Sequence, residues 1–201
     1  MGEMMRNSLL LMALCCVSSV AMAQQPSTYD AATIARGQYL VYAGGCNDCH
    51  SPKIMTPQGP VVDESRLLSG HPADQKLPKI PAGLIGPNGY GAVTTNDLTA
   101  WTGAWGTSFA ANLTPDPTGI GNWTVEMFIK SFRTGKYMGI SRPILPPMPW
   151  NWYGHETDAD LTAIFAYLKS LKPVKNLVPE ALPPGATIRA AHASHGSRAA
   201  H

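Results

Sequence analysis

The chain has 201 residues, 14% of them charged, and a formal net charge of +2. It carries neither a basic stripe nor an acidic run, which excludes a nucleic acid held by charge as a partner. No internal repeat is present, and the length suits one domain behind a leader.

The first 23 residues read as a signal peptide. Arg6 precedes an apolar run from Leu9 to Met22, and Ala21-Met22-Ala23 is a small-x-small cleavage pattern. The run is shorter than the ~20 residues a spanning helix needs, and an uncleaved N-terminal anchor is the competing reading. Export is expected, with Cys15 and Cys16 removed and no membrane span left after cleavage. Residues 24–178 are expected to form one domain whose cysteines are Cys46 and Cys49.

The stretch "YDAATIARGQYLVYAG" predicts a helix from Ala31 to Tyr42, capped by Asp30 and ended by Gly44-Gly45. Gly37 weakens it by roughly 1 kcal/mol relative to Ala. A close crossing by a bulky partner such as Phe165 or Tyr167 would account for the glycine; a merely tolerated helix glycine is the alternative.

"CNDCH" follows at 46–50. A Cys-x-x-Cys pair serves as a redox dithiol, as half of a zinc site or as a haem anchor. A dithiol of the thioredoxin kind sits near a βαβ pattern, and the flanks show none. Structural zinc needs two more ligands at metal spacing, whereas His71 and His155 stand alone and His192, His195 and His201 lie in a tail. Cys-x-x-Cys-His therefore reads as a haem c attachment site: Cys46 and Cys49 add to the vinyl groups, and His50 is delivered to the iron as proximal ligand.

From Ser51 to residue 122, nine prolines and many glycines exclude a long helix. "DLTAWTGAWGTSFAANLT" predicts a short β-hairpin around a Thr102-Gly103 turn. So long an irregular segment is expected to cover haem edges, to dock a partner, or to be an insertion without a role. Next, Thr124 caps a predicted helix from Val125 to Thr134 that Gly135 ends. Its Phe128, Ile129 and Phe132, with Trp123, suit a cofactor wall or an ordinary core stripe.

Four methionines remain for a sixth iron ligand: Met55, Met127, Met138 and Met148. Met55 follows His50 too closely to reach the opposite face, and Met127 reads as core. Met148 sits in "RPILPPMPWNWYGHETD", which its prolines hold extended, lowering the entropy lost on presenting a thioether. Met148 is the expected ligand, ahead of Met138 and then His71 or His155. The last helix, "ETDADLTAIFAYLKSLKP", has a Thr157–Asp160 capping box, a Leu161, Ile164, Phe165 and Leu168 stripe, and a stop at Pro173. Residues 179–201, poor in bulky apolar side chains, are expected to be a disordered, dispensable tail.

Helix, "CNDCH", middle helix, Pro-flanked Met and "DLTAIFAYLKSL" helix stand in the order of the class I cytochrome c family, which residues 30–175 resemble. "NLTPDPTGIGNWT" and "PPMPW" further resemble a bacterial periplasmic monohaem subgroup. The resemblance implies a mainly α fold around one covalent haem c, with 51–122 as a long irregular insertion. It implies thioether bonds at Cys46 and Cys49 and iron ligation by His50 and Met148. It also implies a periplasmic electron carrier that is not itself an enzyme and serves redox partners such as a dehydrogenase or a terminal oxidase. A haem sensor or enzyme with an open iron position is the alternative.

Overall fold

The computed structural model describes residues 29–186. The signal-peptide reading and the tail beyond residue 186 lie outside the described residues.

Five helices and two small antiparallel sheets follow one another along the chain. The order is α1 (Ala31–Ala43), α2 (Cys46–His50), β1 (Lys53–Thr56), β2 (Gly59–Val62), β3 (Ala92–Thr94), β4 (Ala100–Gly103), β5 (Gly106–Phe109), α3 (Val125–Thr134), α4 (Trp150–Tyr153) and α5 (Asp158–Ser170). The fold is thus mixed, not mainly α as expected: all five strands among the described residues lie in the 51–122 insertion. β1 pairs with β2, and β4 lies between β3 and β5. The hairpin predicted around Thr102-Gly103 is the β4–β5 pair, but its turn is displaced. Gly103 pairs with Gly106, so Ala104 and Trp105 make the turn. The left-handed φ of +99° at Gly106 suits a glycine there.

The three predicted helices form with the caps their sequences offer. Asp30 accepts from the Thr33 amide, Thr124 from Met127 and Thr157 from Asp160. α1 crosses α5 at Gly37, where a Cβ would lie 1.8 Å from the Ala163 carbonyl oxygen and 2.9 Å from the Tyr167 Cβ. Of the two partners expected at this notch, Tyr167 is the one in it. Arg36 bonds Asp160 at 2.9 Å alongside.

The core joins Val41 of α1, Phe128 of α3 and Leu161, Ile164, Phe165 and Leu168 of α5. Burying each of these large side chains contributes roughly 1.5–3 kcal/mol. Tyr167 of α5 and Leu68 and Ile120, both from the insertion, complete the cluster, so the insertion builds part of the core besides its sheets. Phe128 meets Phe132 and Phe165 with ring centroids at 5.0 and 5.3 Å, and it is the buried core member of this helix.

Residues 179–186, assigned to the tail from composition, are held on the insertion. Leu182 is 5% exposed, and its amide and carbonyl both bond Thr107 of β5 at 2.8 Å. One leucine in a segment otherwise short of bulky apolar side chains supplies burial that average composition hides. Among the described residues no helix is long and apolar enough to cross a membrane.

Candidate functional site

α1 ends in two glycines. Gly45, at φ +66°, turns the chain directly into α2, a single turn made of the five residues "CNDCH". Cys46, Cys49 and His50 thereby come together on one helical turn. Both cysteines are free thiols and half-buried. Burial pushes both thiols above the ordinary cysteine range. A redox-active Cys-x-x-Cys has the opposite character, a thiol lowered toward the thiolate.

His50 is buried, at 8% exposure. Its Nδ1 lies 2.8 Å from the Ala111 carbonyl oxygen. A carbonyl only accepts, so Nδ1 carries the proton and Nε2 keeps its lone pair. Burial also pushes the imidazole below its usual range, toward the neutral form. A neutral imidazole fixed through one nitrogen and basic at the other is the form in which histidine binds iron.

Lys53, three residues beyond α2, anchors the motif from below. Its ammonium bonds the carbonyls of Asn47 (3.4 Å), Ser51 (2.9 Å) and Asp97 (2.8 Å), and also that of Asp48. It satisfies the open carbonyls at the end of the short helix and ties them to the insertion. A cation shortly after a helix is a visible sequence signal for such a role. Burial lowers the lysine from its ordinary range, and Asp97 opposes that effect.

Met148 is half-buried in the Pro-rich loop before α4. Two contacts fasten this region to the rest of the site. Ser108 of β5 donates to the Pro146 carbonyl. The Tyr153 hydroxyl of α4 donates to the Gly44 carbonyl at 2.7 Å and lies 3.8 Å from the Cys46 sulfur. Burial raises the Tyr153 phenol well above its ordinary range, so it remains a donor at neutral pH. Trp150 covers Gly135, where a Cβ would lie 2.6 Å from the indole. Met138 is half-buried with a φ of +54°, Met55 is 58% exposed and His155 is exposed beside Trp152. The Ala111 carbonyl, Lys53, Ser108 and Tyr153 were not among the residues expected from sequence.

The chain is similar to cytochrome subunits of bacterial dehydrogenases. It is 37% identical over 148 residues to the cytochrome c subunit of a quinone alcohol dehydrogenase from Gluconobacter oxydans, a match covering 72% of this chain and 23% of the relative. It is 28% identical over 151 residues to the fructose dehydrogenase cytochrome subunit of Gluconobacter japonicus, covering 74% and 24%. The gluconate 2-dehydrogenase cytochrome c subunit of Pantoea cypripedii matches at 28% over 165 residues, covering 81% and 28%. These relatives support a c-type cytochrome. No family model matches the chain. The matched segment spans less than a third of the length of each of these three curated relatives. The site fits such a cytochrome: paired thiols and a neutral, oriented imidazole on one turn are the donor set for a covalently attached haem.

Proposed function

We propose that the chain is an exported, periplasmic monohaem c-type cytochrome that carries single electrons and is not itself an enzyme. Cys46 and Cys49 would hold haem c covalently, and His50 Nε2 and the Met148 thioether would ligate its iron. The haem supplies reversible one-electron exchange. The protein's residues orient the proximal imidazole through Ala111, hold the attachment turn through Lys53 and Tyr153, and stiffen the methionine loop through its prolines and Ser108. The buried His50, protonated at Nδ1 and basic at Nε2 inside Cys-x-x-Cys-His, is the observation that carries this reading. Methionine ligation raises the reduction potential. Names such as quinone alcohol dehydrogenase cytochrome c subunit favour a dehydrogenase as electron donor, with a terminal oxidase as an acceptor of matching chemistry.

Replacing Cys46 and Cys49 with Ala tests the attachment: acidified organic solvent should then extract all the haem, and haem retained through denaturation refutes it. Carbon monoxide tests the sixth ligand. The reduced parent and Met138→Ala should bind it poorly and Met148→Ala rapidly. The reverse pattern in the variants moves the ligand to Met138. Rapid binding by the parent favours an open-site sensor or enzyme.

A further inference from the structure

A second buried histidine lies outside the attachment motif. His71 is fully buried, 0% exposed. Its Nδ1 is 2.8 Å from the Thr99 hydroxyl oxygen, and that hydroxyl donates to Asp97 Oδ2 at 2.9 Å. The Thr99 proton is committed to the carboxylate, so Nδ1–H of His71 donates to Thr99. His71 Nε2 is left as a buried nitrogen without a hydrogen-bond partner among the described residues. Unpaired polar atoms at this depth are unfavourable, and the bond to Thr99 accounts for only one of the two ring nitrogens.

The placement of this ring links it to the haem-binding turn. The Ala110 carbonyl accepts from the His71 amide at 2.9 Å, and the Ala111 carbonyl accepts from His50 Nδ1 at 2.8 Å. The Gly70 amide donates to the His50 carbonyl at 2.8 Å. Two neighbouring residues therefore hold both histidines, while His71 itself bonds neither His50 nor Met148. The Lys53 ammonium bonds the backbone carbonyl of Asp97, the residue whose carboxylate ends the chain of hydrogen bonds.

We propose that His71 is a proton-coupled tuning residue of this electron carrier: reduction raises its affinity for a proton at Nε2, and oxidation lowers it again. The inference rests on the proposed haem site. The proton comes from solvent and the electron from the redox partner, or from dithionite in vitro. With Nε2 protonated, the imidazolium is countered through Thr99 by Asp97. The charged groups acting on it are Asp97 and, on its own loop, Asp74; Lys53 reaches the Asp97 backbone carbonyl. Arg66 and Lys175 line a cleft of about 180 Å³ with Ser69, Pro72 and Asp74, which opens beside the ring's flanking residues. Burial lowers His71 from the usual histidine range, and Asp97 then Asp74 oppose this. The added electron shifts the balance toward the protonated form.

The full-length haem protein is titrated between pH 5 and 9, with the reduction potential and the His71 ring resonances followed in both oxidation states. The His71 proton affinity is expected to be about tenfold higher in the reduced protein, a separation of about one pH unit. The potential should fall with rising pH between the two values and flatten outside them. His71→Gln should remove that dependence while keeping covalent haem and slow carbon monoxide binding. Equal His71 pKa values in the two states, or a pH dependence that persists in His71→Gln, overturn the proposal. The resonances of the unmutated protein decide even if the variant fails to fold. Absence of covalent haem in the parent instead sinks the underlying haem reading.

Discussion

Gly37→Ala sets two principles against each other. In an exposed helix interior this change stabilises by roughly 1 kcal/mol, because Ala is the better helix former. At Gly37 the new methyl would stand 1.8 Å from the Ala163 carbonyl oxygen, inside any van der Waals contact. The obstacle is backbone, so no rotamer of a neighbour relieves it and α1 must move off α5. Overpacking of this kind is unfavourable by about 1–3 kcal/mol, occasionally more. The displaced helix also loosens the Arg36–Asp160 contact and the packing of Val41. A net destabilisation of about 2 kcal/mol is expected, lowering Tm by about 4–8 °C for a domain of this size. Urea unfolding of parent and variant at equal haem content measures it. Because the clash is with a carbonyl, Ala163→Gly should not rescue the variant. A Gly37→Ala protein as stable as the parent, or more so, refutes the close crossing.

Leu182→Ala should destabilise by about 2–5 kcal/mol, the usual range for a buried leucine, and differential scanning calorimetry reads it. A neutral result would return residues 179–186 to the tail. Asp97 supplies a pH dependence. Burial pushes its carboxyl up, but hydrogen bonds from Thr95 and Thr99 outweigh this and hold it below the ordinary range. Its folded value lies below its unfolded value, so the stabilisation is present above about pH 4 and is lost as pH falls through the folded value. Asp97→Asn should therefore lose less stability than the parent between pH 6 and pH 3 in urea titrations. An equal loss would show that other carboxylates govern acid unfolding.

The helices were legible because their signals are local. Asp30, Thr124 and Thr157 cap by reaching three residues along their own chain, whereas Gly37 left a crossing and a tolerated glycine equally open until Ala163 and Tyr167 were seen against it. "CNDCH" concentrates its chemistry in five adjacent positions. The partner of His50 was not legible, because the Ala111 carbonyl is a backbone atom and any residue supplies one. His71 looked like a lone histidine, since its relation to Asp97 and Thr99 depends on the path of a Pro-rich loop. The strands of the insertion are three or four residues long, too short for period-2 alternation to emerge against Pro and Gly. Leu182 was hidden for a related reason, as one apolar residue carries no period.

The hydrogen bond from Tyr153 to Gly44 joins residues 109 positions apart, and Arg36 meets Asp160 across 124. Contacts of such separation form late, since the loop between them must close first. A chain made from its N-terminus presents Cys46, Cys49 and His50 more than a hundred residues before Tyr153 exists to secure them. During that interval Cys46 lacks the Tyr153 hydroxyl that lies 3.8 Å from its sulfur in the finished fold. The order of the sequence thus leaves an assembly window in which the attachment turn stands without its Tyr153 tie, and α4 closes it.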